Sequence, residues 1–510
     1  MLRKLNQAEI TSIAQKSDRA NNIQLPNSRF FGYPDRVIQF GSGALLRGLI
    51  DHFVDQANHQ RIFRGRVVIV NNTRSGRSEK FANQDGLFTI CEEGFVDGDT
   101  QRNFYVNSAV SQAIPATEHW PKILNCAHNE AITTVISNTT EIGITLQEDD
   151  DLSAHPPQSF PGKLTAFLYE RYQAFAGLPQ SGMLIIPTEL IIDNGDKLKS
   201  TVLKLIEINE LEDEFRQWVI QHNMFCNTLV DRIVPGEPDQ RKQAELEEIL
   251  GYKDELLTVS EVYRLLAVEG KEERLIRKAP FLKADPGIII DEDITPYRER
   301  KLRILNGGHT ISVAAGFLCG LNTVFDCMQD AVMESFISQT IYDEIIPTLE
   351  IDQTMAREFA KDVLDRFRNP YLNHQLISIT LQYTSKMNMR NGLTFSRYLK
   401  NTGSVPKRMC AGLAAYLLFT RPIEEKDGKY FGEFQAERYP INDDQAAFFY
   451  QVWSNVDAAN QEEVQKLVQQ ILTHQSFWDQ DMAPFIEQTA YYVIEFRRTG
   501  VREVLSSIVS

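Results

Sequence analysis

The chain has 510 residues, 53 basic against 69 acidic side chains, a net charge of −16, and 43% hydrophobic and 24% charged positions. That length exceeds one simple core and predicts about two domains. The acidic balance argues against nucleic-acid or membrane-surface binding, which would need a Lys/Arg block that the sequence does not contain. The six cysteines, Cys91, Cys126, Cys226, Cys319, Cys327 and Cys410, are too sparse for a disulfide framework and form no C-x-x-C pair. They read as reduced core thiols, and no metal is expected.

The N-terminal basic residues are followed by no apolar stretch, so no secretory signal is predicted. The most apolar windows, 309–321 and 409–420, are shorter than the roughly 20 residues a membrane-spanning helix needs. Both are expected to be buried helices in a cytoplasmic protein.

In chain order, residues 36–40 form a β-prone run that stops at Gly41-Ser42-Gly43, and 45–57 carry helical spacing of apolar residues. A second buried strand is predicted at 67–70, with further β-rich runs at 131–137, 183–186 and 225–234. Short strands alternating with helices predict an α/β domain with a Rossmann-like, mostly parallel sheet over residues 1–290, residues 1–34 being an extension. Thr295-Pro296 then reads as a helix start, and helical periodicity dominates at 297–321, 330–349, 352–368, 405–420, 443–456, 461–472 and 485–504. An all-α C-terminal domain over 291–510 is expected, with the active site in the crevice between the two.

Gly41-Ser42-Gly43-Ala44-Leu45-Leu46-Arg47 lies between strand and helix, the context of a dinucleotide-binding turn. The first glycine permits the turn, the second lets the backbone approach a pyrophosphate, and the helix N-terminus offers N–H donors. Leu46 replaces the third glycine of the motif, and a turn of this kind with no ligand is an equally good reading. The second strand ends at Asn71 without the acid that selects NAD. Asn71 can bond a ribose, while Arg74 or Arg77 can accept a phosphate, so NAD is expected with NADP left open.

Lys301, Asn306 and His309 carry the catalytic signal. On an α-helix, about 100° per residue puts Asn306 about 140° and His309 about 80° around the axis from Lys301, so all three can share a side. A solvated helix half with a satisfied histidine is the competing reading. The pair Gly307-Gly308 favours the first, since glycine costs a helix about 1 kcal/mol unless something approaches its backbone closely.

Lys301-x4-Asn306-x2-His309 resembles the signature of the long-chain polyol dehydrogenases, the mannitol dehydrogenase family. The similarity extends to Gly41-x-Gly43-x3-Arg47, Ser137-Asn138-Thr139-Thr140-Glu141, Asp231-Arg232-Ile233-Val234-Pro235 and Arg366-Phe367-x-Asn369-Pro370. Asn83–Leu87, Pro187–Gly195 and Ile304–Thr310 resemble a sugar-acid-reducing branch of it. The resemblance implies metal-independent hydride transfer, with Lys301 as general acid–base, Asn306 as oxyanion donor and His309 holding the reacting oxygen. It also implies cofactor contacts from Gly41, Ser42, Gly43, Ala44, Leu45, Arg47, Asn71, Asn138, Thr139 and Glu141. Asp231 would meet substrate hydroxyls, or else form an ion pair with neighbouring Arg232 or act as a structural cap. Lys386 and Arg390 would take a substrate carboxylate, and His374 would be structural. The chain departs from the family at Leu190, an apolar residue where relatives carry a second oxyanion donor. A dinucleotide-binding sensor without turnover stays as the alternative outside catalysis, and monomer and homodimer both stay open.

Overall fold

The computed structural model describes residues 2–17, 23–71, 77–140, 143–454, 456 and 460–510. The chain divides into two units, Met1–Gly94 with Gln101–Ile294, and Phe95–Thr100 with Thr295–Ser510.

In the first unit, the apolar runs become six parallel strands: β1 (Asp35–Phe40), β2 (Arg66–Asn71), β3 (Val110–Pro115), β4 (Thr134–Ser137), β5 (Leu184–Pro187) and β6 (Met224–Phe225). Their order in the sheet is β6-β5-β4-β1-β2-β3. Because side chains alternate between faces, Val37, Val67 and Ile69 enter one hydrophobic layer, while Ile38, Phe40, Val68 and Val70 enter the other. Helices cover both faces, so the strands read as nearly continuous apolar runs. The sheet changes direction between β1 and β4, which pair with Phe40 opposite Ser137. In open α/β sheets that switch point is where ligands bind.

Three details of this unit differ from the sequence expectation. The helix expected over 45–57 is two helices, α1 (Ala44–Gly48) and α2 (Ile50–His59), broken at Leu49 with φ −121° and ψ −68°. Three smaller sheets accompany the main one among the described residues: Arg3–Lys4 paired with Tyr252–Lys253, a three-stranded sheet built on Thr228–Asp231, Leu265–Glu269 and Ile288–Asp291, and a four-stranded sheet containing Phe88–Val96 and Asp99–Asn107. Arg232, next to Asp231, is fully buried and bonds Glu92 Oε2 at 2.5 Å, the Glu261 carbonyl and the Gly48 carbonyl that ends α1.

The second unit is mostly helical. Its apolar helix Lys407–Phe419 is buried along nearly its whole length, and it packs on Gly308–Leu318 and Ile486–Thr499. A Cβ on Gly412 would stand 2.4 Å from the Ile311 carbonyl oxygen, so glycine is what permits this crossing. A three-stranded antiparallel sheet, Glu424–Lys426, Lys429–Phe434 and Glu437–Ile441, interrupts the helices. Three segments are π-helical: Lys301–Gly307, Thr340–Ile345 and Asn388–Gly392. No helix among the described residues is long and apolar enough to cross a membrane.

Candidate active site

The glycine turn sits at the switch point. Gly41 has φ +124°, and an added Cβ would stand 3.0 Å from Leu46 Cδ1 and 3.1 Å from the Asn138 carbonyl oxygen. The backbone conformation and the close passage of the 138 loop both require glycine there. Gly43 is the N-cap of α1, with φ −63°, and an added Cβ would meet no atom of the described residues within 4 Å. Packing among the described residues therefore gives no reason for glycine at 43, and the space leaves the backbone N–H groups of the turn open to approach. Leu46 is fully buried in the sheet's helix layer, which accounts for a large residue at the third glycine position.

Arg47 is buried and donates from Nη1 to the Ser42 carbonyl at 2.7 Å and from Nε to Thr258 Oγ1 at 3.0 Å. Burial, reinforced by Arg77 nearby, lowers its pKa to about 10. The guanidinium thus fastens the turn from behind. Asn71 closes β2, buried, and donates to Ser78 Oγ at 2.5 Å.

The loop after β4 is held by a residue whose role the sequence did not disclose. Glu189 is buried, and accepts from the Thr139 amide at 2.9 Å, Thr139 Oγ1 at 3.1 Å and Ser137 Oγ at 3.2 Å. Burial raises its pKa, opposed by those bonds. Leaving such an acceptor or its donors unpaired costs about 1–3 kcal/mol. Asn138 donates to the Thr188 carbonyl at 2.8 Å. Glu141 and Arg74 lie outside the described residues. Leu190 and Ile192, beyond Glu189, are 63% and 61% exposed. Asp231 ends its strand, buried, opposite Leu265.

In the second unit, Lys301 and Asn306 occupy the π-helical segment, and His309 the first turn of the α-helix that follows. This corrects the angular expectation. A π-helix bonds residues five apart, so Lys301 and Asn306 are separated by one turn and lie on one face, where a regular α-helix would have set them far apart. The two glycines serve neighbouring protein segments: a Cβ on Gly307 would stand 3.1 Å from Asn391 Oδ1, and one on Gly308 3.2 Å from Ile341 Cδ1, each in another π-helical segment.

His309 is half-buried. Its ring lies 4.0 Å from that of Phe367 and 5.2 Å from that of His374, centroid to centroid. Desolvation, then the positive fields of His374, Arg366 and Arg390, hold its pKa well below 6.5. His374 is lowered likewise by burial and Arg366. Arg390 donates from Nη1 to Thr310 Oγ1 at 3.0 Å, while its buried Nε has no partner. Lys386 donates to the Ile379 carbonyl at 3.1 Å, its pKa lowered by burial and then by Arg390. No carboxylate contributes to the shifts of His309, His374, Lys386 or Arg390. Among the described residues, no group of three or more His, Cys, Asp or Glu is arranged to hold a metal ion.

Residues 35–278 match the family described as the mannitol dehydrogenase Rossmann domain, and residues 293–495 the mannitol dehydrogenase C-terminal domain. The chain belongs to the mannitol dehydrogenase family. Like other members, it is an oxidoreductase acting on CH–OH groups. It is 37% identical over 478 residues to altronate oxidoreductase of Bacillus subtilis (strain 168), covering 93% of this chain and 95% of that one. It is 36% identical over 482 residues to altronate oxidoreductase of Klebsiella pneumoniae (strain 342), covering 93% and 97%. Two solved mannitol dehydrogenase-like folds superpose on it. Pseudomonas fluorescens mannitol 2-dehydrogenase, a ternary complex with NAD and D-mannitol, has a TM-score of 0.68 at 21% identity, covering 99% of both chains. A D-sorbitol dehydrogenase in substrate-free form has a TM-score of 0.79 at 22% identity, covering 98% of this chain and 100% of that one.

Proposed function

We propose that this enzyme reduces the ketone of a hexuronate with NADH, converting tagaturonate to altronate. The observation that carries the reading is the gathering of basic groups beside His309: Arg390 bonds Thr310 at 3.0 Å, His374 lies 5.2 Å from the His309 ring, and Lys386 stands four residues before Arg390, in a chain of net charge −16. A carboxylate on the substrate supplies the opposite charge, and a guanidinium is suited to bind it. A neutral polyol does not. The altronate oxidoreductases to which the chain is similar act, by name, on such a sugar acid.

Gly41, Ser42, Gly43, Ala44, Leu45, Asn71, Asn138 and Thr139 would hold the dinucleotide, with Arg47 and Glu189 fixing the two loops. When bound, the nicotinamide supplies the hydride. Lys301 delivers a proton from Nζ to the carbonyl oxygen as the carbon is reduced, and recovers one from solvent. Asn306, one π turn away, donates to the same oxygen as charge develops on it. His309, kept neutral by its surroundings, orients that oxygen through a ring nitrogen. Asp231 meets substrate hydroxyls, and Lys386 and Arg390 take the carboxylate.

Steady-state assays with NADH and NADPH against tagaturonate, fructuronate and fructose test the assignment. Tagaturonate with NADH is expected to give the highest kcat/KM. Fructose outpacing both uronates would reassign the enzyme to neutral polyols, and NADH binding with no turnover would make it a sensor.

A further inference from the structure

We infer that Arg303 is a positioning residue that fixes the distance between the reducing end of the site, at Lys301 and Asn306, and its carboxylate-binding end, at Lys386 and Arg390. This rests on the function proposed above and adds to it the element that sets substrate length.

Arg303 lies inside the π-helical segment that carries Lys301 and Asn306, with only 6% of its surface exposed. From Nη1 it donates to two successive carbonyls, Met389 at 2.6 Å and Arg390 at 3.0 Å. Both belong to the π-helical segment Asn388–Gly392 that follows Lys386. The link is reciprocal, because Arg390 donates back to Thr310 Oγ1 at 3.0 Å, one residue beyond His309. Between the two bonds the segments touch where Gly307 leaves room for Asn391. On its other edge, Arg303 Nε faces Glu299 Oε2 at 3.5 Å, and Arg397 reaches the same oxygen at 3.5 Å.

Burying a guanidinium costs several kcal/mol in lost hydration, and an apolar residue of similar volume would fill the space more favourably. What an apolar residue lacks is one nitrogen, Nη1, that bonds two carbonyls, and a second, Nε, that faces a carboxylate on the other side. A lysine ammonium is a point donor and reaches fewer of these partners at once. The guanidinium sets how far the Arg390 backbone stands from the helix of Lys301 and Asn306. A uronate that must engage both ends at once is sensitive to that spacing.

The test uses the full chain carrying Arg303→Gln or Arg303→Lys, with KM and kcat measured separately for the uronate, alongside NADH affinity and Tm. A misplaced carboxylate site should raise KM about 10-fold and lower kcat about 10-fold in Arg303→Gln while NADH affinity is unchanged, since small misplacements are costly to aligned reactants. Arg303→Lys, which keeps the charge and folds if the glutamine variant does not, should show the same pattern at roughly a third of the effect on each constant. A fall in kcat with KM unchanged, tracking the loss of folded enzyme, would make Arg303 merely structural. Unchanged constants would also overturn the inference. Wild-type enzyme that reduces neither uronate would overturn the functional reading first, and this one with it, before any variant is assayed.

Discussion

The imidazole of His309 stacks on the ring of Phe367, with centroids 4.0 Å apart and planes inclined by 33°, while His374 meets it edge-on at 5.2 Å. An aromatic face and three neighbouring cationic or basic groups surround the ring proposed above to orient the reacting oxygen. A charged imidazole would be poorly solvated there and repelled by Arg366 and Arg390.

The neutral state of His309 has a consequence for stability. Its folded-state pKa is depressed below 6.5 by burial and positive neighbours, so below that value the unfolded chain binds more protons than the native one. Stability should therefore fall as pH drops below about 6.5, and part of that fall should vanish in His309→Asn. Thermal denaturation of both proteins between about pH 5 and pH 8 checks the slope. The same variant should lose about 10²-fold in kcat, the usual scale for a group acting on the reacting oxygen.

The two glycines of the turn should separate folding from binding. Gly41→Ala strains a φ of +124° and pushes on Leu46 and Asn138, which should cost about 1–3 kcal/mol of stability and abolish NADH binding. Gly43→Ala meets no atom of the described residues. It should leave Tm within about 2 °C of wild type while weakening NADH at least about 10-fold, because the added methyl occupies the ligand's approach to the helix N-terminus. Calorimetry and NADH fluorescence titration on the pair decide the matter. Normal NADH affinity in Gly43→Ala would place the dinucleotide elsewhere.

Asp51 predicts a pH effect of opposite sign. It is fully buried on α2, with the Gln39 side chain and Arg47 near its carboxylate. Burial pushes its pKa up to about 7, with Gln39 and Arg47 opposing. Between its ordinary value of 3.8 and about 7 the native state binds the extra proton, so this contribution to stability is lost as pH rises through that window. Asp51→Asn, which keeps the shape without the charge, should raise Tm at about pH 8 and leave it nearly unchanged at about pH 4. Each pKa unit is worth about 1.4 kcal/mol, so the rise from 3.8 to about 7 corresponds to a gain of roughly 4 kcal/mol at alkaline pH.

The parallel sheet was legible because β1, β2, β4 and β5 are short, apolar and bounded by turns, and the glycine turn because it follows one of them directly. Phe88–Val96 escaped because it buries Thr89, Glu92 and Glu93 among its apolar residues. Glu424–Ile441 escaped because it is short and highly charged. The break at Leu49 left the apolar spacing of 45–57 intact, so periodicity alone did not show it. The spacing of Lys301, Asn306 and His309 was visible as a motif, but the π-helical form of 301–307 was not, since hydrophobic periodicity is insensitive to one widened turn. Nor could one sequence show that Glu189 folds back on 137–139, or that residues as distant as 309, 374 and 390 gather. Those are products of tertiary pairing.

A π-helical turn contains one more residue than the α-helical turn it replaces. Were 301–307 wound as a regular α-helix at the same length, Asn306 would stand about 140° around the axis from Lys301 instead of sharing its face. The relation between the proposed proton donor and the proposed oxyanion donor thus depends on how residues 301–307 are wound, and not only on which side chains stand there.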